Sequence, residues 1–417
     1  MIRTVAAAVL AVALALLSAA PAAAQSRPRL DRPAAAVLID ARDGSVILAK
    51  DPRERRSIAS TTKLMTALLA TEMAKPSDVF TAPAYNALAV ESKINLRKGE
   101  RMRVDDLLEA LLLESANDAA VTIAEGVSGS RRRFVQAMNE RAASLGLDDT
   151  SYANPIGLDD PLNYSTAADL ARLARTLLRE EVLAKVVNQP SAVLESGARR
   201  RVVANRNDLV GSVPFVDGVK TGFTRQAGNV LVGSATGPLG SRVISVVMGE
   251  PSQAMRDTDT VALLRYGLGQ FRRKQILDSE KPVAEADIRY RDERAELVPK
   301  EDFLIVTRRG QRVTTRVDAP AEVEGELAAG TRVGRVAVVR DGRVVKRIAL
   351  VTAAEVPGAG PLRVIAAELG TGLFILILLV GLTAIGVGGL RIQSRRRARR
   401  LADRRRERER ARTRASG

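Results

Sequence analysis

The sequence predicts an α+β fold, an antiparallel sheet covered by helices, followed by a small all-β domain and a C-terminal transmembrane helix. Three observations carry this reading. Strand patterns occur at both ends of the stretch from residue 35 to 270, with helical periodicity between them, so the sheet is closed by strands from both ends of the chain. Past residue 270 the pattern changes to short apolar runs punctuated by turns. Residues 369–390 then carry no charge over 22 positions, long enough as a helix to span about 30 Å.

Taken in order, residues 35–40 and 46–49 read as a hairpin turning at Asp43-Gly44. A helix is expected to begin near Ser60, with Leu64 and Leu68 on one face, and a second covers 105–113. Glu114-Ser115-Ala116-Asn117 breaks that apolar pattern, and another helix runs from about 118 to 125. Helical pattern returns over 130–145, where Phe134, Met138 and Ala142 have core spacing, and over 166–188. Strands follow at 213–221, 229–234 and 242–248, and a helix around 257–266 closes over them. In the later module, 303–306 and 335–339 are short strands, and Asp341-Gly342 is a hairpin turn.

Both ends carry targeting signals. Arg3, the apolar run 5–17 and Ala22-Ala23-Ala24 before Gln25 have the layout of a secretory signal with an Ala-x-Ala cleavage site. The thirteen Leu, Ile, Val or Phe residues in 369–390 favour insertion by roughly 4–8 kcal/mol. The Arg-rich run after that span fits the positive-inside rule and places the C-terminus in the cytoplasm. The expected organisation is a signal peptide at 1–24, a catalytic domain at 25–272 and a β-rich domain at 273–356. A linker at 357–368, the span at 369–390 and a basic cytoplasmic tail at 391–417 complete it. The catalytic domain is then extracellular, on a protein crossing the cell membrane once.

Composition narrows the chemistry. The chain has no cysteine and no histidine, which excludes disulfides, thiolate catalysis, a Ser-His-Asp triad and histidine-ligated metal sites. Covalent catalysis must use Ser or Thr activated by something other than imidazole, and lysine is the obvious base. The formal charge of +17 does not mark a nucleic-acid binder. Residues 391–417 hold thirteen Arg against Asp403, Glu407 and Glu409, a net of +10, and aromatics make up only 3% of the chain. No metal or other cofactor is expected.

Ser60-Thr61-Thr62-Lys63 is the one Ser-x-x-Lys in the chain. Its i, i+3 spacing puts amine and hydroxyl on one helical face, and the helix N-terminus adds partial positive charge near a developing oxyanion. Alone it also fits a helix cap beside a solvated lysine. Ser115-Ala116-Asn117 either caps two helices or delivers a proton relay (Ser115) and a carbonyl ligand (Asn117) to a cleft. Lys220-Thr221-Gly222 is expected to end a strand. Its Lys and Thr can bind a carboxylate, and Gly222 removes a side chain that would block a peptide pairing along the edge.

Together, in the order Ser60, Ser115, Lys220 with gaps of 55 and 105 residues, these motifs resemble the penicillin-binding and serine β-lactamase superfamily. Ala59–Thr66, Ser115–Ala120 and Val216–Thr224 look most like the low-molecular-mass D-alanyl-D-alanine carboxypeptidases. So do Asn154-Pro155-Ile156-Gly157-Leu158-Asp159 and Tyr164-Ser165-Thr166. The likeness covers roughly residues 30–270, and the later module resembles the family's membrane-proximal domain more loosely. The resemblance implies a β-lactamase/transpeptidase-like fold and removal of the terminal D-alanine from peptidoglycan stem peptides ending in D-Ala-D-Ala. It also implies inhibition by β-lactams. Under it, Ser60 attacks, Lys63 takes the proton, and Ser115 and Asn117 assist. Lys220 and Thr221 hold the substrate carboxylate, and Gly222 and Phe223 line the binding edge, with the Ser60 and Phe223 N–H groups as oxyanion hole. One position departs: Asn163 stands where many relatives have His. A serine β-lactamase is the first alternative, disfavoured because no Glu-x-x-x-Asn lies between Asn117 and Lys220. A catalytically idle wall-binding scaffold is the second.

Overall fold

The computed structural model describes residues 26–414, so the signal-like stretch at 1–24 lies outside the described residues. The chain forms two compact units. The first runs to Arg273 and adds Val306–Arg309, and the second holds Lys274–Ile305 and the chain from Gly310 onward.

The sheet of the first unit is built from β1 (Ala35–Asp40), β2 (Val46–Lys50), β3 (Val216–Thr224), β4 (Gly228–Thr236) and β5 (Arg242–Glu250). Its order is β2-β1-β5-β4-β3, all antiparallel, so β1 pairs with the last strand of the unit, as the pattern predicts. Alternate residues face opposite sides. Val37, Ile39, Val230, Val232, Ile244 and Val246 share a core with Leu64, Leu68, Leu107 and Leu111 of the helices on one face. Ala36, Leu38, Leu231, Val243 and Val247 pack with Leu263 and Leu264 of the helix Gln253–Leu268 on the other. Each fully buried Leu, Ile or Val stabilises by about 1.5–3 kcal/mol, and both faces are covered, so register is strongly fixed.

The helices that frame the site are α1 (Lys63–Met73), α2 (Val104–Leu112), α3 (Asn117–Ser128), α4 (Arg131–Ser144) and α5 (Ala167–Leu177). Lys63 through Ala70 are all buried, which makes α1 a core helix with no solvent face over its first two turns. Phe134, Met138 and Ala142 are the buried stripe of α4. The hydroxyls of Ser130 and Thr166 cap α4 and α5 by accepting the N–H groups of Arg133 and Asp169.

Several expectations need correction. The helical pattern over 166–188 resolves into two helices, α5 and Glu181–Val187, because the chain turns at Leu178 and Arg179. The helix expected from Ser60 starts at Lys63, and Ala59–Thr62 is a 3₁₀ turn. Lys220-Thr221-Gly222 does not end its strand, which continues to Thr224. Two short hairpins, Val79–Thr81 with Arg101–Arg103 and Ser191–Leu194 with Arg201–Ala204, escape a reading by periodicity because each strand is only three or four residues long.

The second unit holds a six-stranded sheet and the C-terminal helices. Its central hairpin, Arg332–Arg340 with Arg343–Thr352, turns through Asp341 (φ +49°) and Gly342 (φ +81°), the left-handed pair that a two-residue hairpin loop demands. The linker expected at 357–368 contains a helix, Pro361–Leu369, with Pro361 at its first turn. Past Gly370 (φ +77°), one helix runs from Thr371 to Arg414, so no break separates the apolar span from the basic tail. Its most apolar window has mean hydropathy 2.6 and no buried residue, which is compatible with a membrane anchor.

Candidate active site

Ser60 lies in the 3₁₀ turn that leads into α1. Thr61 fixes the turn by donating both its N–H (3.1 Å) and its hydroxyl (2.6 Å) to the carbonyl of Ile58. Lys63, one turn on, donates from Nζ to Ser60 Oγ at 3.0 Å and to the Ile156 carbonyl at 2.6 Å. Ile156 belongs to a turn organised by Asn154, whose Oδ1 accepts the N–H groups of Ile156 (3.2 Å), Gly157 (2.7 Å) and Leu158 (3.1 Å). Thr66 Oγ1 donates to the Pro155 carbonyl at 2.7 Å and ties that turn to α1.

Two glycines allow the elements to close on Ser60. A Cβ on Gly157 would stand 2.0 Å from the Ala59 carbonyl oxygen, and φ there is +90°. A Cβ on Gly222 would stand 3.1 Å from the Ile58 carbonyl and 3.2 Å from Ser60 N. Gly222 therefore allows the close approach of β3 to the Ser60 turn, a requirement that the sequence expectation did not include. Because β3 is the edge strand, its backbone is open to an extended peptide. Within it Lys220 is buried, with Nζ donating to the Thr221 carbonyl at 3.3 Å. Thr221 is nearly buried, and Phe223 is exposed.

The third wall is the break between α2 and α3. Ser115 adopts φ +64°, and its Oγ is buried without a hydrogen-bond partner, so it makes no bond to Lys63. Asn117 Nδ2 donates to Glu91 Oε2 at 2.7 Å, and the Tyr85 hydroxyl donates to the same carboxylate. Arg206 clamps the loop from outside, its Nε on the Glu114 carbonyl (2.9 Å) and its Nη2 on Glu114 Oε1 (2.6 Å). Glu91, Arg206 and the Ile156 carbonyl are groups beside these residues that lie outside the three sequence motifs. Only the 154–159 segment left a signal, as a stretch resembling the family.

The electrostatics follow from burial. Burial pushes the Lys63 amine well below its ordinary value, and the neighbouring Lys220 charge pushes the same way, against an opposing effect of Glu91. Burial also brings Lys220 down to about 7, helped by the charges of Arg206 and Arg256. The arrangement therefore supports a neutral amine against a serine hydroxyl, the state a general base requires.

The D-alanyl-D-alanine carboxypeptidase family profile matches residues 22–252, more than half of the chain. The chain belongs to that family of serine peptidases. A second match, to the C-terminal domain of penicillin-binding protein 5, covers residues 271–358. Among curated relatives, D-alanyl-D-alanine carboxypeptidase DacF of Bacillus subtilis is 32% identical over 319 residues, covering 74% of this chain and 82% of the relative. DacA of Haemophilus influenzae is 32% identical over 323 residues, covering 74% and 81%. Among solved structures, penicillin-binding protein 5 from Haemophilus influenzae superposes with a TM-score of 0.57 at 30% identity, over 80% of this chain and 99% of that one. The expected fold class and the carboxypeptidase assignment both stand. At the position where many relatives were expected to carry His, Asn163 donates to Thr62 Oγ1 at 3.3 Å and accepts the Ala153 N–H at 3.3 Å. In this member it braces the turn that carries Ser60.

Proposed function

We propose that this carboxypeptidase forms its acyl-enzyme on Ser60, with Lys63 as the proton acceptor. The observation that carries the assignment is the 3.0 Å contact between Ser60 Oγ and the Nζ of the fully buried Lys63. With Lys63 neutral, one of its N–H bonds remains on the Ile156 carbonyl and its lone pair faces the Ser60 proton. Ser60 Oγ attacks the carbonyl between the two terminal D-alanines as that proton moves to Nζ. The negative charge on the carbonyl oxygen falls to the N–H groups of Ser60 and Phe223, a pairing supported by the close approach of Gly222 to Ser60 N. Losing one such donor typically costs about 10²–10³ in rate.

Lys220 and Thr221 bind the terminal carboxylate, and Asn117 orients the acyl part through its amide. Ser115, whose buried hydroxyl has no bond to give up, passes the proton to the departing D-alanine amine. Water, deprotonated by Lys63, then hydrolyses the Ser60 ester and frees the trimmed stem peptide. β-Lactams enter the same acylation step and stay on Ser60. Incubating the full chain in detergent with a pentapeptide and weighing the products tests this. Loss of one alanine from the peptide and a transient acyl mass on Ser60 support the mechanism. Hydrolysis with no acyl-enzyme, even after rapid acid quenching, overturns it.

The domain limits proposed are 25–272 for catalysis and 273–356 for the β-rich module. The uncharged run in the helix Thr371–Arg414 acts as a single membrane span, with the catalytic domain outside the cell and the arginines inside.

A further inference from the structure

Next to the Ser115 loop lies a cavity of about 290 Å³ whose lining is dominated by Lys93, Arg199, Arg200, Arg201 and Glu114. Two of its lining residues neighbour the site along the chain. Glu114 directly precedes Ser115, and Lys93 follows Ser92, whose carbonyl accepts the Asn117 N–H at 2.8 Å. The local carboxylates are already committed. Glu114 is held by Arg206, and the buried Glu100 is held by Arg201 at 2.8 Å. Arg200 has only a loose, well-exposed partner in Glu195 at 3.2 Å. Among the described residues Lys93 and Arg199 form no ion pair. The result is a concave surface with uncompensated positive charge, held in shape by the Arg201 Nε bond to the Ile94 carbonyl at 2.9 Å.

We propose that this cavity is a substrate subsite that takes a free carboxylate of the stem peptide outside the terminal D-Ala-D-Ala. The inference rests on the carboxypeptidase reading and adds a specificity to it. A peptide held by its C-terminal carboxylate on β3 and by its scissile carbonyl at Ser60 passes the Ser115–Asn117 loop. There Arg206 is committed to Glu114, and Lys93 and Arg199 in the neighbouring cavity have no ion-pair partner among the described residues. Guanidinium and ammonium groups at a partly dry concave surface bind carboxylate through charge-assisted hydrogen bonds. Amidation of that carboxylate removes the attraction, so the enzyme should distinguish amidated from unamidated wall peptides.

The test uses the full chain in detergent and two pairs of D-γ-Glu-X-D-Ala-D-Ala peptides. One pair carries the free or amidated α-carboxylate of Glu with X as lysine. The other carries the free or amidated side-chain carboxylate of X as diaminopimelate. In at least one pair the free acid should have a kcat/KM roughly three- to tenfold higher, the scale of two partly exposed ion pairs. That ratio should fall towards one in Lys93→Ala and Arg199→Ala, invert in Arg199→Glu, and fall in wild type as salt is raised. Stoichiometric penicillin labelling verifies that each variant is folded, and the salt series stands without any variant. Equal rates within both wild-type pairs overturn the proposal. So does an equal loss of ratio in the exposed control Arg132→Glu, which would trace the preference to overall charge. If the carboxypeptidase reading itself fails, no peptide loses alanine at all, a distinct result.

Discussion

Lys63 Nζ bridges Ser60 Oγ at 3.0 Å and the main-chain carbonyl of Ile156 at 2.6 Å, while Lys63 as a whole is fully buried. The carbonyl uses one N–H and fixes the rotamer, so the remaining face of the nitrogen can point only at the serine. A solvated helix-surface lysine, the bland reading of Ser-x-x-Lys, would show neither feature.

A labelled penicillin should accordingly modify Ser60 and no other residue. Peptide mapping of the full chain checks this, and Ser60→Ala should take up no label. Lys63→Ala should lose acylation by penicillin and peptide alike, by roughly 10²–10⁴, the usual contribution of a positioned base. Lys63→Arg should not rescue it, because guanidinium stays protonated at neutral pH. Full labelling of Lys63→Arg would remove the proton-acceptor role.

The two lysines should also set the pH profile of kcat/KM. Lys63 must be neutral, and its amine is held well below its ordinary value by burial, so the acidic limb, where Lys63 gains its proton, should lie well below the range of an ordinary lysine. Lys220 must be charged to hold a carboxylate, and in the empty site it loses its proton at about 7. The alkaline limb should therefore begin near neutrality, far below the range of an ordinary lysine. In Lys220→Arg the cation persists, so that limb should move up by at least one pH unit while overall efficiency drops from the altered fit. An alkaline limb unmoved in Lys220→Arg would assign it to another group.

The sequence made the three motifs and the individual strands of the sheet legible because each is local. Ser-x-x-Lys is one helical turn, and strands buried on both faces read as continuous apolar runs. What it hid was long-range geometry. Nothing in a stretch as irregular as 82–100 says that Glu91 will hold Asn117, and no side-chain pattern encodes a main-chain acceptor such as Ile156. The close approach at Gly222 was hidden for the same cause, since its neighbour, Ser60 N, lies 162 positions earlier in the chain.

The two close-approach glycines should fail in different degrees. Gly157→Ala would place a methyl at 2.0 Å from the Ala59 carbonyl at φ +90°, so backbone must move. Overpacking of this kind costs about 1–3 kcal/mol, with roughly 1 more for the left-handed conformation. We expect a clearly lowered melting temperature together with loss of acylation. Gly222→Ala meets its neighbours at 3.1–3.2 Å, a gap that a few tenths of an ångström relieves. It should melt nearly as wild type yet acylate more slowly, because the shift spreads the Ser60 and Phe223 donors. Equal melting losses in both would mean that Gly222 serves packing alone.

Limited proteolysis of spheroplasts tests the orientation. Added protease should digest the chain before about residue 365 and spare the arginine tail, since each Arg left outside would defy the positive-inside bias. A protected catalytic domain with a digested tail would reverse the topology.

Glu250 offers a test of stability in the same unit. It is fully buried at the end of β5, near Asp259 of the helix Gln253–Leu268, which is itself held by Arg32. Burial first, then the neighbouring Asp259 carboxylate, pushes the Glu250 carboxyl up to about 7. The folded chain thus keeps a proton that the unfolded chain releases above the usual 4.5. Between those two values the native state binds more protons, so stability must fall as pH rises through that window and level off above it. Gln in place of Glu250 mimics the protonated form and cannot ionise. Glu250→Gln should therefore match wild type near pH 4.5 and melt progressively higher than wild type up to pH 8, the advantage reaching roughly 2–3 kcal/mol at most. Parallel melting curves for the two proteins across that range would show that Glu250 is ionised throughout, with Arg32 and Lys50 supplying its charge balance.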